Sequence, residues 1–204
     1  MSKRIFDIFF SVMGILFLSP VMIICAVLVK LSSKGPIIFR QARVGRNFAP
    51  FEIYKFRSMV VNAASLGARV TADGDKRVTK IGRIMRKTKL DEVPQLFNVL
   101  FGDMSFVGPR PEVPEFVEIY REDYVELLSV RPGVTDIGSI EFRFEEEILA
   151  ASSDPRQTYI DEVLPQKIEL GKKYIKQSSV LFDIKLITIT LLSVVRSHKH
   201  SSQD

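Results

Sequence analysis

The longest apolar run of the chain lies at its N-terminus. Residues 8–29 include no charged side chain, and an α-helix of that length reaches across a hydrocarbon core of roughly 30 Å. The run is longer than the roughly 7–15-residue apolar region of a signal peptide, and no clear small-x-small cleavage site ends it. The pattern therefore predicts a membrane helix that is not cleaved.

Two features of this run leave its path through the membrane open. Ser19-Pro20 lies in the middle, and the helix is expected to bend there because a proline removes a helical hydrogen bond. Basic residues flank both ends, namely Lys3, Arg4, Lys30 and Lys34. Positive flanks favour the cytoplasmic side, so the pattern fits a kinked span and a re-entrant helix that returns to the same face equally well.

Residues 35–204 have the pattern of a mixed domain. Residues 36–40 and 51–56 are short, apolar and β-prone, and Gly45-Arg46-Asn47 lies between them, which predicts two strands joined by a turn. Residues 62–75 are small and polar, as expected of a surface loop. The predicted fold class is α+β, with a small β-hairpin region and several amphipathic helices packed on the membrane surface.

Helical periodicity recurs through the rest of the chain. A helix is expected to begin near Asp91, because Pro94 is tolerated in a first turn, and to run to about Leu100. Residues 180–195 are strongly apolar but contain Asp183 and Lys185, so this helix is expected to lie at the membrane interface or against the core. Further helices are predicted around residues 78–85, 116–128 and 159–176.

Composition narrows the chemistry. The net charge of +5 and the pI of about 9.3 favour an anionic partner, such as nucleic acid, anionic lipid or a phosphorylated metabolite. The single cysteine, Cys25, excludes an internal disulfide and a multi-cysteine metal site. The two histidines, His198 and His200, lie near the C-terminus, so neither a histidine zinc site nor a histidine base is expected. The remaining candidates are carboxylates, Lys, Arg, Ser, Thr and Tyr.

The adjacent carboxylates Asp91 and Glu92 are the leading candidates. Adjacent carboxylates are usually solvated, but this pair follows a strongly basic stretch, residues 76–89. At a helix start a carboxylate stays ionised and can act as a nucleophile or bind Mg²⁺. A phosphorylated substrate would also need cations, and the chain supplies Lys55, Arg57, Arg86, Arg110 and Arg131. Arg110 lies between two prolines, which would aim its fork at phosphate oxygens, although a surface charge without a role is the alternative for each arginine alone.

The chain also carries a series of motifs in a fixed order. They are Lys3-Arg4-Ile5-Phe6-Asp7, Ser19-Pro20, Gly35-Pro36-Ile37-Ile38-Phe39-Arg40-Gln41, Tyr54-Lys55-Phe56-Arg57-Ser58-Met59, Lys89-Leu90-Asp91-Glu92-Val93-Pro94-Gln95-Leu96-Phe97-Asn98-Val99-Leu100 and Gly102-Asp103-Met104-Ser105-Phe106-Val107-Gly108-Pro109-Arg110-Pro111. In this order they resemble the monotopic phosphoglycosyl transferase family, also called bacterial sugar transferases. The likeness runs from about residue 3 to residue 133, with a looser match at residues 183–185, and the ordered combination is highly specific.

The resemblance implies a reaction. A phosphosugar passes from a UDP-sugar to a polyprenol (undecaprenyl) phosphate, giving polyprenol diphosphosugar and UMP, as the first membrane step of a glycoconjugate pathway. Asp91 is then the nucleophile that forms a covalent phosphosugar intermediate, and Glu92 assists as a Mg²⁺ ligand or base. Lys55, Arg86 and Arg110 match family positions near the phosphates. Mg²⁺, held at Asp91 and Glu92, is the expected cofactor.

The resemblance also implies a topology. The family's helix with a Ser-Pro break is re-entrant, so residues 1–34 are expected to form a re-entrant membrane helix broken at Ser19 and Pro20. Residues 35–204 then form a cytoplasmic catalytic domain on the anionic phospholipid surface, at the cytoplasmic face of the bacterial inner membrane. A homodimer is one assembly that the resemblance allows, and nucleic acid is not an expected partner.

Some features depart from the family pattern or favour other functions. Residues 134–142 lack the Thr-Gly and the later Gln-Val of many members, which leaves the sugar undetermined. The extra N-terminal membrane domain of larger members is missing, so a minimal catalytic form is expected. Composition alone also allows a non-enzymatic membrane-surface module. The chain carries no recognisable recognition motif of a nucleic-acid-binding protein. It also has no Asp-x-Asp motif that opens a doubly wound sheet, as an aspartyl-phosphate phosphatase would.

Overall fold

The chain begins with a long apolar helix. A computed structural model describes residues 2–63, 71 and 74–200, and its first element is α1 (Ser2–Ser32). Among the described residues, only α1 is long and apolar enough to cross a membrane. Helical structure continues through Pro20, and the Leu16 carbonyl, which a proline amide cannot bond, accepts the Ser19 hydroxyl at 2.8 Å. Ser19-Pro20 is therefore not a break in secondary structure.

Both ends of α1 contact the same domain. Near the N-terminus, the buried Asp7 carboxylate accepts a hydrogen bond from the Phe106 amide at 3.1 Å. Just beyond the C-terminus, the buried Arg57 guanidinium donates to the carbonyls of Ser33 and Lys34, each at 2.7 Å. Between these contacts the helix exposes large apolar side chains, including Phe9, Leu16, Phe17, Ile23 and Ile24. The two basic flanks of α1 were predicted to lie on one side of the membrane, and both ends of this helix contact the same domain.

The predicted hairpin is confirmed. Strands β1 (Ile38–Val44) and β2 (Pro50–Phe56) pair antiparallel, with Ile38 opposite Phe56. The turn between them contains Asn47 in the left-handed region, with φ of 55°, which asparagine tolerates better than most residues. Strand β1 begins and ends later than the apolar pattern predicted.

A second, short sheet was not predicted. Strand β3 (Ser105–Val107) pairs in parallel with β4 (Gly133–Thr135). The backbones of the two segments pass very close to each other. A Cβ added to Gly133 would lie 2.1 Å from the Gly108 nitrogen, so only glycine fits at position 133. This contact sets the position of the Pro-Arg-Pro segment that follows β3.

Helices surround these sheets. They are α2 (Lys80–Lys87), α3 (Gln95–Phe101), α4 (Pro114–Ile119), α5 (Arg121–Leu127), α6 (Ile137–Glu141), α7 (Glu145–Ala150), α8 (Pro155–Thr158), α9 (Leu164–Gln177) and α10 (Val180–His200). The α+β fold class is confirmed. The helix predicted over residues 116–128 is two helices, because Tyr120 has φ of −117° and ψ of 36°. The loop predicted at residues 62–75 falls largely outside the described residues.

Separate apolar clusters hold these elements together. The main cluster packs α4 and α5 against α9, with Phe116, Tyr124, Leu127, Leu164 and Ile168 among its members. A smaller cluster of Ile53, Val99 and Met104 fastens α3 to the hairpin. Another joins the end of α1 to β2 and α2 through Cys25, Val29, Phe56 and Met85. Together these clusters hold the segment between α2 and α3 against the hairpin.

Helix α10 buries one face and exposes the other. Asp183 and Leu186 are buried, and the Asp183 carboxylate pairs with Lys3 and accepts the Tyr174 hydroxyl at 2.7 Å. The opposite face exposes Leu181, Leu191 and Leu192. The Asp183 charge is therefore neutralised by Lys3 where α10 packs on the domain, in agreement with the prediction that this helix is not a second span.

Candidate active site

Asp91 and Glu92 lie in a tight turn between α2 and α3. The Thr79 hydroxyl caps α2 by accepting the Gly82 amide at 2.9 Å, and after α2 the backbone reverses at Lys89, which is left-handed with φ of 57°. A 3-10 turn then covers Leu90–Glu92, and α3 follows. Helical geometry does begin near Asp91, as predicted, but α3 itself starts four residues later and is only seven residues long. A helix dipole is therefore a minor contribution at this site.

Asp91 is a buried carboxylate with one oxygen that is unpaired within the described residues. Only 7% of the residue is exposed. Burial, reinforced by the charge of Glu92, raises the pKa of Asp91 to about 6. Its Oδ1 is fully buried and accepts no hydrogen bond within the described residues. A carboxylate in this state is poorly solvated and available for chemistry at neutral pH.

Glu92 has the opposite environment. The Lys55 ammonium donates to Glu92 Oε1 at 2.7 Å, and the Arg110 guanidinium donates to the same oxygen. Burial favours the protonated form of Glu92, but Arg110 and Lys55 outweigh it and hold the pKa of Glu92 well below its usual range. Two neighbouring carboxylates with pKa values pushed in opposite directions are typical of catalytic pairs that divide their roles.

The two cations on Glu92 come from different parts of the fold. Lys55 lies on β2, opposite Phe39 of β1, and burial lowers its pKa while Glu92 opposes that effect. Arg110 lies between its two prolines, and its backbone amide donates to the Asp136 carboxylate at 3.3 Å. The Glu92 charge raises the pKa of Arg110, so this guanidinium stays charged. The hairpin and the segment after β3 therefore meet at the carboxylate pair.

Arg86 and Lys89 add positive charge on the α2 side. Both act electrostatically on Asp91 and favour its ionised form. Arg86 forms an ion pair with Glu146 of α7, a residue that the sequence did not bring into the site. Lys89 was also missed, although it lies within the basic stretch that precedes Asp91.

The structure places the remaining predicted site residues elsewhere. The Arg57 guanidinium holds the chain after α1 through Ser33 and Lys34. Arg131 Nε donates to the Gly102 carbonyl at 2.7 Å, at the end of α3. Ser19 and Pro20 lie within α1. The site thus brings together Asp91, Glu92, Lys55, Arg110 and Arg86, and the substrate roles predicted for these residues stay predictions.

Gln95, the first residue of α3, is a further buried polar residue near the site. It is 1% exposed, and neither its Oε1 nor its Nε2 has a hydrogen-bond partner within the described residues. The signal that could have found it is its place in the motif of residues 89–100, four positions after Asp91.

The donor atoms fit a Mg²⁺ that is shared with a substrate. The described residues contain no cluster of three or more His, Cys, Asp or Glu side chains that could hold a resident metal. Mg²⁺ commonly binds through one or two carboxylates together with substrate phosphates and waters. Both cations on Glu92 bind Oε1, which leaves Oε2 for a metal, and the Asp91 Oδ1 is unpaired within the described residues.

Comparison with known proteins gives a family match and several relatives. The profile of the bacterial sugar transferase family matches residues 1–197. The chain is 40% identical over 196 residues to a UDP-N-acetylgalactosamine-undecaprenyl-phosphate N-acetylgalactosaminephosphotransferase of Aeromonas hydrophila, covering 95% of this chain and 43% of the relative. It is 40% identical over 193 residues to a UDP-glucose:undecaprenyl-phosphate glucose-1-phosphate transferase of Escherichia coli (strain K12), covering 93% of this chain and 39% of the relative. A Caulobacter vibrioides protein of the latter name is 34% identical over 197 residues, with 95% of this chain and 69% of the relative covered. The chain thus spans about two fifths of the first two relatives.

Proposed function

The chain belongs to the bacterial sugar transferase family, and from that premise we propose that it moves a phosphosugar from a UDP-sugar to undecaprenyl phosphate. The products are undecaprenyl diphosphosugar and UMP. The observation that carries the proposal is the division within the carboxylate pair. Glu92 is neutralised by Lys55 and Arg110, whereas Asp91 is buried beside it with an unpaired oxygen in the part of the chain described.

In the first half-reaction, an Asp91 carboxylate oxygen attacks the phosphorus nearest the sugar. The bond from this phosphorus to the bridging oxygen breaks, its electron pair leaves with UMP, and an aspartyl phosphosugar remains. With a pKa of about 6, Asp91 is mostly ionised at neutral pH, as a nucleophile must be. Lys55, Arg86 and Arg110 supply positive charge that stabilises the transferring phosphoryl group.

In the second half-reaction, an oxygen of undecaprenyl phosphate attacks the same phosphorus. The bond to Asp91 breaks with its electron pair, which restores the carboxylate. One nucleophile thereby serves a soluble donor and a lipid acceptor in turn. The low pKa of Glu92 favours a role in holding the two cations or a metal over a role as a base.

We also propose that Mg²⁺ enters with the donor. Asp91 and Glu92, the latter through Oε2, would hold it together with the donor phosphates. Mg²⁺ in that place offsets the repulsion between the carboxylate pair and the diphosphate. Turnover should stop in excess chelator and return on addition of Mg²⁺, and full turnover in the chelator would refute the metal.

The acceptor places the reaction at a membrane, and we propose the cytoplasmic face of the bacterial inner membrane. The re-entrant topology of α1 is supported by the docking of both its ends on one domain. The exposed apolar side chains between these ends would then contact anionic phospholipid. Cysteines introduced at Ser2 and Ser33 should be labelled from the same face of the membrane. Labelling of the two from opposite faces would favour a span.

The decisive experiment is intact-protein mass spectrometry with a set of UDP-sugars and no acceptor. A mass increase of one phosphosugar on the peptide that contains Asp91, together with release of UMP, is the expected result. Asp91→Asn should abolish the adduct, while the control Asp154→Asn, which can still cap α8, should form it normally. Release of UMP only when undecaprenyl phosphate is present, with no adduct, would show direct transfer. Binding without any transfer would favour a non-enzymatic membrane-surface module.

A further inference from the structure

Arg43, on β1, is an arginine whose guanidinium is largely buried. Only 18% of its side chain is exposed, and the guanidinium donates to the Pro111 carbonyl and to Gln41 Oε1, each at 2.9 Å. It also pairs with the Glu112 carboxylate at 3.3 Å. A guanidinium with three separate acceptors is fixed in position, because its donors form a planar, rigid fork. Through these bonds the end of β1 is tied to the chain immediately after Arg110.

Glu112 strengthens this tie. It is 8% exposed, and its Oε1 accepts the Tyr159 hydroxyl at 2.5 Å. Its backbone carbonyl accepts the Val44 amide at 3.0 Å. A buried carboxylate that accepts both a guanidinium and a hydroxyl is held in one orientation. The chain that leaves Arg110 is therefore bonded to β1 through its backbone and through a side chain.

The chain that enters Arg110 is held by different partners. The Gly108 amide donates to the Thr135 carbonyl at 3.1 Å, and the Arg110 amide donates to the Asp136 carboxylate at 3.3 Å. The two prolines around Arg110 restrict the backbone between these contacts and β1. Arg110 thus projects from a segment that is fixed on the β4 side by its own amide and on the β1 side by Arg43.

Arg43 lies on the same face of the hairpin as Lys55. Lys55 is opposite Phe39 across the two strands, and directly opposite residues of an antiparallel pair point to the same face. Phe39 and Arg43 are four apart on β1, where side chains alternate between faces with a period of two. The hairpin therefore holds one cation of Glu92 directly, through Lys55. It reaches the segment of the other cation, Arg110, through Arg43.

We propose that Arg43 is a positioning residue for Arg110. It fixes residues 109–111 against the hairpin, so that the Arg110 guanidinium and the Lys55 ammonium meet on the same oxygen of Glu92. The inference rests on the proposed function, in which Arg110 supplies positive charge to the transferring phosphoryl group. Charge that is already in place stabilises that group more than charge that must first be brought there. Arg43 binds protein acceptors, so its effect reaches the donor only through Arg110.

The test compares Arg43→Lys with two controls. Arg43→Lys keeps the charge, but an ammonium cannot reproduce the fork that reaches the three acceptors. Arg40→Lys is the matched control, because Arg40 lies on the same strand, its side chain is 62% exposed, and it pairs with Glu52 at 3.4 Å. Val117→Ala is the control for lost stability, because Val117 is 1% exposed in the main apolar cluster. All variants are the full chain in lipid nanodiscs, and the unfolding midpoint of each is measured.

The first readout is kinetic. Arg43→Lys should lower kcat for UMP release about 10- to 100-fold, because a displaced charge stabilises the transferring group less, while KM for the UDP-sugar stays within about three-fold. Arg40→Lys and Val117→Ala should keep kcat within about two-fold per folded molecule. Unchanged kcat in Arg43→Lys, or an equal loss in Val117→Ala, would overturn the proposal.

A double-mutant cycle separates action through Arg110 from an independent effect of Arg43. Arg110→Lys should itself lower kcat, and adding Arg43→Lys should lower it by less than about two-fold further, because the guanidinium that Arg43 positions is then absent. Single-turnover release of UMP, with enzyme in excess of the UDP-sugar, extends the measurement to slow variants. Losses that multiply in the double variant would show that Arg43 acts on another group, which contradicts the proposal.

The last readout does not depend on transferase activity. Protein labelled with ¹⁵N-arginine gives guanidinium signals, and those of Arg110 are the ones that disappear in Arg110→Lys. In wild type the Arg110 Nη signals should be separate, because the bond to Glu92 slows rotation of the guanidinium. They should merge in Arg43→Lys and stay separate in Arg40→Lys. If wild type releases no UMP with any UDP-sugar, the proposed function fails, while this measurement still decides whether Arg43 positions Arg110. Separate Arg110 signals in Arg43→Lys would rule out the positioning role.

Discussion

Asp91 and Asp183 are both buried aspartates, and they differ in what surrounds the carboxylate. Asp183 is 3% exposed, and its oxygens bind the Tyr174 hydroxyl and the Lys3 ammonium. Asp91 is 7% exposed, and its Oδ1 is unpaired within the described residues. A buried charge without a hydrogen bond disfavours folding, so the unpaired carboxylate points to chemistry and the paired one to structure.

The two aspartates also differ in what they connect. Asp183 joins α10 to the first turn of α1, 180 residues away in the sequence, and to Tyr174 of the preceding helix α9. The charges that act on Asp91 include Arg86 of α2, Lys55 of β2 and the adjacent Glu92. Arg110, from the segment after β3, pairs with Glu92. The first cluster fastens α1 to the rest of the domain, and the second leaves a carboxylate oxygen of Asp91 unpaired within the described residues.

The largest difference should appear when each aspartate becomes asparagine. Asp91→Asn should lower turnover by about 1,000-fold or more, because an amide cannot act as the nucleophile. It should also leave the unfolding midpoint unchanged or raise it, since a neutral amide is easier to bury than an unpaired charge. Asp183→Asn should retain turnover within about ten-fold per folded molecule. Equal losses of turnover in Asp91→Asn and Asp183→Asn would contradict a chemical role for Asp91 and a structural role for Asp183.

The next largest effect concerns stability. Asp183→Ala should lower the free energy of unfolding by about 2 kcal/mol, toward the low end for a broken buried pair because Lys3 is partly exposed to solvent. Tyr174→Phe, which removes only the hydroxyl, should lower it by about 1 kcal/mol. Denaturant titrations followed by circular dichroism measure both values. If Asp183→Ala were as stable as wild type, the structural role of this cluster would be wrong.

Through Asp91, folding stability and the rate of adduct formation should depend on pH in opposite directions. The pKa of Asp91 rises to about 6 in the folded protein, above the ordinary value of about 4. The stability that Asp91 contributes is therefore complete below about pH 4 and is lost as the pH rises through about 6. Adduct formation needs the ionised carboxylate, so its rate should increase through about pH 6 and then level off.

Unfolding and adduct formation measured across this pH range test the sign. Asp91→Asn should remove the fall in stability between about pH 4 and pH 6. Glu92 has the reverse linkage, because its pKa is held well below the usual range. Its contribution is present above its ordinary pKa and is lost as the pH falls through the folded value. A fall in stability that persisted in Asp91→Asn would assign it to another group.

The smallest predicted effect concerns Arg86. Its ion pair with Glu146 competes with substrate phosphates for the same guanidinium, so Glu146→Gln should lower KM for the UDP-sugar by about 2- to 5-fold with kcat unchanged. Glu118→Gln is the matched control, since Glu118 pairs with Arg121 on the surface helices α4 and α5. Steady-state kinetics with UDP-sugar varied at saturating acceptor give both constants. An equal fall of KM in Glu146→Gln and Glu118→Gln would indicate an effect of overall surface charge and not of the Arg86 ion pair.

The sequence alone was enough for the local features of this protein. The uncharged residues 8–29 predict the membrane helix, the β-prone segments predict the hairpin, and the ordered motifs point to Asp91 and Glu92 as the reactive pair. These signals are local because periodicity, proline and glycine placement and short motifs act over a few residues. The hydrogen bond from the Ser19 hydroxyl to the Leu16 carbonyl is local in the same sense. It satisfies, within one helical turn, the carbonyl that Pro20 cannot bond.

Only the tertiary structure decided which charges meet. The sequence predicted all of Lys55, Arg57, Arg110 and Arg131 as substrate-binding cations. The fold brings Lys55 and Arg110 to Glu92, whereas Arg57 and Arg131 bind backbone carbonyls. The parallel pairing of β3 and β4 and the burial of Gln95 likewise depend on contacts between distant segments. Burial and ion pairing set the pKa of a carboxylate, and both arise from the packed neighbours around it. The choice of Asp91 and Glu92 as the candidate pair therefore came from local information, and the difference between the environments of the two carboxylates did not.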